Sequence, residues 1–145
     1  MQRGRVVSSH LFVYGSLVVP IVMQTVTGRL FRHAEACLHG FERFMLEGRV
    51  YPGVAEAETR STRGRIYFDL DEDALARLDY FEADDYERRT LYVELADDSL
   101  VPASVYVISD ILRDLLIDDV WDEAKFVAED LENFLKQTRN WMADY

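Results

Sequence analysis

The 145-residue sequence contains a single cysteine, Cys37, which cannot form a disulfide within one chain. With no second cysteine, a zinc motif of the Cys-x-x-Cys kind is excluded. His10, His33 and His39 lack the spacing of metal ligands, so the sequence predicts no metal site. This limited cysteine chemistry favours a reducing, cytoplasmic location.

Basic charge is also scarce: 16 lysines and arginines stand against 27 acidic residues, which gives a formal net charge of -11. A surface this acidic argues against binding to nucleic acid or anionic lipid through phosphate contacts. The uncharged span of residues 6–28 is interrupted by polar residues, glycine and proline, which excludes a transmembrane helix there. We therefore expect neither nucleic acid nor a membrane as a partner.

The chain has no internal repeat and no linker-like run of proline, glycine or serine. Its length and its 49% hydrophobic content fit one globular domain with an ordinary core. We predict a single domain over residues 1–145, in which residues 110–145 form a helical C-terminal extension.

Short runs of aromatic and β-branched residues predict most of the strands. Residues 36–54 are cut by Gly40, Gly48 and the pair Pro52-Gly53, which predicts short strands joined by tight turns. Residues 20–27 are compatible with either a short helix or a strand. The remaining predicted strands are residues 10–14, 63–70, 89–95 and 101–108.

Two segments have helical periodicity. In residues 71–81, Leu75, Leu78 and Phe81 are three apart, and Asp71 can cap the first turn. A second, longer helix begins near residue 122, and we expect Trp121 to seat its start on the core. The apolar stripe predicted for this helix consists of Ala124, Val127, Ala128, Leu131, Leu135, Thr138 and Met142.

Three aromatic residues of the C-terminal helix, Phe126, Phe134 and Trp141, lie off that stripe. Apolar residues on more than one side of a helix favour contact with both the chain's own barrel and a second subunit, so we predict a homodimer. All the candidate site residues described below precede this helix. We therefore expect it to serve stability or assembly rather than the geometry of a site.

The order of elements limits the fold class. Strands, one short helix, further strands and a long helix follow one another, without a regular βαβ alternation or a glycine-rich phosphate loop. We predict an α+β domain with a small curled sheet or barrel and helices packed outside it.

Several short motifs, in this order, resemble the gamma-glutamylcyclotransferase-like family. Its members have a first strand that ends in Tyr-Gly-Ser/Thr-Leu and, later, a Leu-Asp-x-Phe-Glu-Gly motif followed by a tyrosine and an arginine. The matching segments are residues 14–17 (YGSL), 36–41 (ACLHGF), 51–53 (YPG), Gly64, and 78–83 (LDYFEA) with Tyr86 and Arg88.

The resemblance implies a small mixed β-barrel with flanking helices, and the long C-terminal helix is added to it. It implies an enzyme that cyclises a small-molecule γ-glutamyl amide or amine to 5-oxoproline and releases the free amine. It also implies that no metal or organic cofactor takes part. A non-catalytic small-molecule-binding or interaction module on the same fold is the alternative.

Glu82 is the candidate acid/base. It follows the short helix, where the helix dipole and the nearby acids, among them Asp79 and Asp85, favour its protonated form and raise its pKa. A raised pKa suits a group that must accept and donate a proton near neutral pH. By position alone, Glu82 is better explained as one more solvated acid; the resemblance reverses this and assigns it the catalytic role.

The candidate substrate-binding residues are Tyr14, Gly15, Ser16 and Leu17. A turn after the first strand would expose the N–H groups of Ser16 and Leu17, which together can bind an anion, and Gly15 would let a ligand approach the backbone. The resemblance implies that this loop holds the substrate carboxylate; an ordinary turn between core segments is the alternative. Tyr86 lines the pocket in one interpretation and belongs to the core in the other.

The sequence departs from the family pattern at Ala83, where the family has glycine. Either the turn differs in shape, or this position never needed a positive φ. The acids that follow make the pocket rim negative. That charge would favour a cationic leaving amine, such as a lysine side chain, over an acidic dipeptide, and the sequence leaves these substrates open.

Overall fold

The computed structural model describes residues 9–145, which form a β-barrel with helices packed against it. The strands are Ser9–Val13 (β1), His33–Leu46 (β2), Pro52–Leu70 (β3), Tyr86–Leu95 (β4), Leu100–Ile108 (β5) and Leu116–Ile117 (β6). The helices are Pro20–Thr27 (α1), Glu72–Glu82 (α2), Glu123–Lys125 (α3) and Leu131–Met142 (α4), with a π-helical turn at Phe126–Asp130 between the last two. Short 3₁₀ turns occupy Ser16–Val18, Ala83–Asp85 and Asp110–Leu115.

The strands of this part of the chain lie in the order β3-β1-β5-β4-β2-β6. A further pairing of β2 with β3 closes β1 to β5 into a barrel, and β6 is added beside β2. Strands β1 and β5 are parallel, whereas the other pairs are antiparallel. The predicted mixed barrel with flanking helices and a C-terminal helix is confirmed.

Strands β2 and β3 are much longer than predicted. Gly40 does not turn the chain: it has φ 84° at a register shift between His39 and Phe41, so it forms a β-bulge inside β2. Gly48, with φ 78°, does lie in the turn that follows β2. A bulge and a turn both use a glycine with positive φ, and for this reason the sequence did not distinguish them.

Residues 20–27 form a helix, which decides between the two alternatives for this segment. Pro20 occupies its first turn, where a missing N–H costs nothing, and Gly28 ends it at φ 82°. Helix α2 begins as predicted: the Asp71 side chain accepts a hydrogen bond from the Ala74 N–H at 2.9 Å.

Buried side chains form two main clusters. One is drawn from the strands and includes Phe12, Ile66 and Val105. The other packs the strands against α1, α2 and the C-terminal helix, and it includes Leu78 and Phe134. The second cluster packs the end of α2 and the C-terminal helix near the C-terminal end of β1. The candidate site residues Tyr14 to Leu17 follow directly after this strand.

The predicted stripe of the C-terminal helix is wrong in its first half. Phe126 and Phe134 are buried, at 2% and 8% exposure, whereas Val127 is 43% exposed. The cause is the π-helical turn, in which the Leu131 N–H bonds the Phe126 carbonyl and one additional residue enters the turn. Two turns then span about eight residues instead of about seven, so Phe126 and Phe134 share a face, with ring centroids 5.3 Å apart.

The C-terminal extension is only partly helical. Within residues 110–145, Leu116–Ile117 is a strand that pairs with β2, and Trp121 is buried ahead of α3. The argument for a dimer loses part of its basis, because Phe126 and Phe134 belong to the chain's own core. The homodimer stays a prediction. No helix within residues 9–145 is long and apolar enough to cross a membrane.

Candidate active site

A cavity of about 420 Å³ opens where the end of β1, the start of β3, the end of α2, the start of β4 and the C-terminal helix meet. The structure brings all the candidate site residues together in its wall: Tyr14, Gly15, Ser16, Leu17, Glu82 and Tyr86. Segments separated by about seventy positions in the sequence thus contribute to one site.

The loop after β1 forms one side of the cavity. Its 3₁₀ turn begins with the bond from the Val18 N–H to the Gly15 carbonyl at 2.9 Å, so the N–H groups of Ser16 and Leu17 have no partner within the turn. The Tyr67 hydroxyl donates to the Leu17 carbonyl at 2.8 Å and fixes the turn from behind. Adjacent N–H groups held in this way can bind a carboxylate.

Gly15 is required for a different reason from the one expected. A Cβ at this position would lie 2.7 Å from Cδ of Pro52, which is too close for any side chain. The glycine therefore allows the loop to pack on the first residue of β3, and the space beside its Cα is not open to a ligand. Gly64 has a similar role, since its Cβ would meet the Val13 carbonyl oxygen.

Glu82 is the last residue of α2 and is half-buried in the cavity wall. No group within residues 9–145 forms a hydrogen bond to its carboxylate. Burial, followed by the negative charges of Asp85 and Asp79, raises its pKa to about 8. The direction agrees with the expectation from sequence, but burial is the largest cause.

Several tyrosines share the cavity wall with this carboxyl group. Tyr14 donates to the Tyr106 carbonyl at 2.5 Å, and Tyr86 donates to the Pro52 carbonyl at 2.8 Å. Burial is the main cause that raises the pKa of both hydroxyls, with the charge of Glu82 adding to it. Both tyrosines therefore stay neutral at pH 7, and Tyr86 lines the cavity as well as packing against the core.

Asp79, in the same motif as Glu82, has a separate task. It accepts a hydrogen bond from the Tyr106 hydroxyl at 2.6 Å and two from Arg88, at 2.9 and 3.1 Å. Its charge is thereby paired, and Tyr106, which lines the cavity, is held in place. Of the two acids in the motif, only Glu82 has a carboxylate without a partner.

Sequence reasoning missed the contribution of the C-terminal helix. Its face includes Phe134, Gln137, Thr138 and Trp141, all of which line the cavity. The expectation that this helix serves stability or assembly rather than the geometry of the site is therefore wrong. No sequence signal located these residues, because the π-helical turn changes which side of α4 faces the barrel.

The histidines lie outside the cavity wall. His39 forms a cross-strand contact with Ser61 at 3.2 Å and with Glu94 at 2.8 Å, and its side chain is 57% exposed. Such an exposed array on the surface of a sheet is adequately explained as cross-strand pairing.

The backbone at Ala83 shows whether the turn needs a positive φ at the position where the family has glycine. Ala83 has φ 55° and ψ -146°, so the turn keeps a positive φ and places an alanine in a region that favours glycine. Such a backbone conformation costs about 1–3 kcal/mol.

We expect Ala83→Gly to raise the free energy of unfolding by about 1 kcal/mol, measured by urea denaturation. Ala76→Gly, at an exposed position inside α2, is the control and should lower it by about 1 kcal/mol. Equal losses in both variants would show that Ala83 carries no strain.

Comparison with known proteins agrees with this geometry. A family model described as "Gamma-glutamyl cyclotransferase, AIG2-like" matches residues 11–123. AIG2-like protein D of Arabidopsis thaliana is 34% identical over 140 residues, which cover 95% of this chain and 91% of that protein.

Solved structures agree as well. A solution structure from Arabidopsis thaliana superposes with a TM-score of 0.70 at 26% identity and covers 97% of this chain and 94% of its own. A structure titled "Gamma-glutamyl cyclotransferase" has the same fold, with a TM-score of 0.63 at 13% identity over 90% of this chain and 99% of its own. The resemblance predicted from the motifs is confirmed: the chain belongs to the AIG2-like gamma-glutamyl cyclotransferase family.

Proposed function

We propose that the cavity binds a small γ-glutamyl amide or amine and converts it to 5-oxoproline and a free amine. One observation carries this proposal. Glu82, a carboxyl group with a pKa of about 8 and no hydrogen-bond partner in the described chain, shares a cavity with Ser16 and Leu17, whose N–H groups have no partner within their 3₁₀ turn. The site thus combines a proton carrier with donors for a carboxylate.

In the proposed reaction the substrate supplies its own nucleophile. Its α-carboxylate lies at the N–H groups of Ser16 and Leu17, and its α-ammonium group gives a proton to the Glu82 carboxylate. The freed amine attacks the γ-carbonyl carbon, a C–N bond forms, and the bond from that carbon to the leaving nitrogen breaks. Protonated Glu82 returns its proton to the leaving nitrogen, which completes the cleavage. The ring nitrogen then gives its second proton, through the Glu82 carboxylate, to the released amine, which leaves as an ammonium ion.

The pKa of Glu82 fits this double task. An α-amino group has a pKa of about 7.7–8.0, close to the value of about 8 for Glu82, so proton transfer between them is nearly balanced. A carboxyl group with an ordinary pKa would be a much weaker base toward an ammonium group.

Proximity supplies a further part of the rate. Both reacting groups belong to one molecule, so a cavity that holds the folded conformer makes ring closure effectively unimolecular. No enzyme nucleophile or cofactor is needed in these steps. The Ser16 hydroxyl has no histidine beside it in the cavity wall and is not required to attack.

The test is a screen of γ-glutamyl amides and amines with purified protein, in which 5-oxoproline and released amine are both quantified. The proposal predicts equal amounts of the two products from at least one compound. If compounds bind, as measured by calorimetry, but no 5-oxoproline forms from any of them, the protein is instead the non-catalytic binding module.

Asp85→Asn should change the pH dependence of the reaction. The charge of Asp85 is the second cause that raises the pKa of Glu82, so its removal lowers that pKa and makes the carboxylate available at lower pH. We expect the rising limb of kcat/KM, centred near pH 8 in the unaltered protein, to move toward lower pH. Asp84→Asn, at an exposed neighbour that does not line the cavity, should leave the limb in place.

A further inference from the structure

The indole of Trp141 links the C-terminal helix to the end of α2. Its ring stacks on Tyr80 with centroids 5.1 Å apart and planes inclined by 22°. Its Nε1–H donates to the Tyr80 carbonyl at 3.2 Å. The same residue also lines the cavity, although 46% of it remains exposed at the mouth.

The Tyr80 carbonyl is one of the groups that a helix end leaves without an intrahelical partner. At the end of α2 the Ala83 N–H donates to the carbonyl of Asp79, which is the residue before Tyr80. The chain then leaves the α-helix. Trp141 therefore acts as a cap from another helix, two residues before Glu82. It restrains the turn that carries the carboxyl group.

Trp141 lies outside the part of the chain that the family model matches, which is residues 11–123, whereas its partner Tyr80 lies inside it. The family motif supplies Glu82 and its turn, whereas the restraint comes from α4. Because α4 also supplies Phe134 and Gln137 to the wall, this helix covers the cavity next to Glu82.

We propose that Trp141 is a positioning residue, which fixes the Glu82 carboxyl group by capping the last turn of α2 and by closing the cavity beside it. Loss of the indole would free this turn and admit water to the carboxyl group. Water favours the ionised form of a carboxyl group, so the pKa of Glu82 would fall.

Other charged or titratable groups around Glu82 must be considered when its pKa is measured. They come from the elements packed against it and stay in place when Trp141 is changed: Asp79, Asp85, Tyr14, Tyr51, Tyr86 and Tyr106. A shift caused by Trp141→Ala would thus report exposure and position, because no charge is removed.

The test compares Trp141→Ala, Trp141→Phe and Tyr145→Ala. Tyr145 is the control, because its ring also contacts Tyr80, with centroids 5.3 Å apart, but it does not line the cavity. The Glu82 titration is followed by ¹³C NMR of labelled carboxyl groups, and kcat/KM is measured against pH.

For Trp141→Ala we expect the Glu82 pKa to fall by about one unit or more, a change of about tenfold in the proton equilibrium. The rising limb of kcat/KM should move with it. Trp141→Phe keeps an aromatic ring beside the cavity but loses the capping N–H, so its Glu82 pKa should lie between those of the unaltered protein and Trp141→Ala. Tyr145→Ala should leave both quantities unchanged.

The inference is overturned if Trp141→Ala keeps the pKa near 8, or if Tyr145→Ala lowers it equally, since general packing on Tyr80 would then be the cause. The inference rests on the proposed function for its kinetic readout only. The NMR titration needs no turnover, so a protein that cyclises none of the compounds would refute the function while the role of Trp141 remained testable.

Discussion

Glu82→Gln is expected to abolish detectable 5-oxoproline formation while the protein remains folded. Glutamine keeps the volume of the side chain but can neither accept the ammonium proton nor return one to the leaving nitrogen. General acid–base catalysis contributes about 10²–10⁴-fold, and Glu82 serves both transfers, so kcat/KM should fall toward the upper end of that range. Product formation with the compound found in the screen is the measurement.

The same substitution should make the protein more stable at alkaline pH. Because the folded-state pKa of Glu82 is about 8 and the ordinary value is 4.5, the folded protein holds a proton that the unfolded chain releases as pH rises between them. Stability contributed by Glu82 is thus full below about pH 4.5 and is lost progressively up to about pH 8. Glu82→Gln removes this loss, and each pKa unit corresponds to about 1.4 kcal/mol.

Glu87→Gln is the matched control, since Glu87 is exposed and does not line the cavity. It should change neither the rate nor the pH dependence of the melting temperature. Near-normal turnover by Glu82→Gln would remove this residue from the mechanism, whatever its effect on stability.

Phe134→Ala should produce a large loss of stability and also impair the site. Its ring is 8% exposed and packs against Phe126, Phe81 and Tyr51, with centroids 5.3, 6.3 and 6.1 Å away. Truncation of a buried phenylalanine costs about 3–5 kcal/mol. Phe134 lines the cavity, so we also expect KM to rise in the fraction that stays folded.

Phe126→Ala separates the two effects. Phe126 is 2% exposed and should cost a similar amount of stability, but it does not line the cavity. Urea denaturation and steady-state kinetics below the unfolding transition measure both. An equal rise in KM for the two variants would mean that the C-terminal helix affects the site only through overall stability.

The sequence predicted those parts of the fold that depend on local chemistry. Asp71 caps α2 through its own side chain, and Leu78 turns inward at helical spacing, so both follow from a few adjacent residues. The segment at 14–17 and Glu82 were found because they belong to short motifs, and the structure places them around one cavity.

Other features depend on contacts that are remote in sequence. Gly15 is needed because Pro52 packs over it, and Gly40 serves a bulge instead of a turn. Neither distinction is visible without the partner strand. The cavity-lining role of Trp141 depends on the π-helical turn at Phe126–Asp130, which no regular helical period predicts.

The most direct test of the account is the titration of Glu82 itself. Carboxyl carbons are labelled with ¹³C, and the Glu82 resonance is assigned by its absence from Glu82→Gln and followed from pH 3 to about pH 10. The account predicts a midpoint near pH 8, coincident with the rising limb of kcat/KM. A midpoint near the ordinary value of 4.5 would contradict it, because Glu82 would then be a solvated acid that could not exchange protons effectively with an α-amino group.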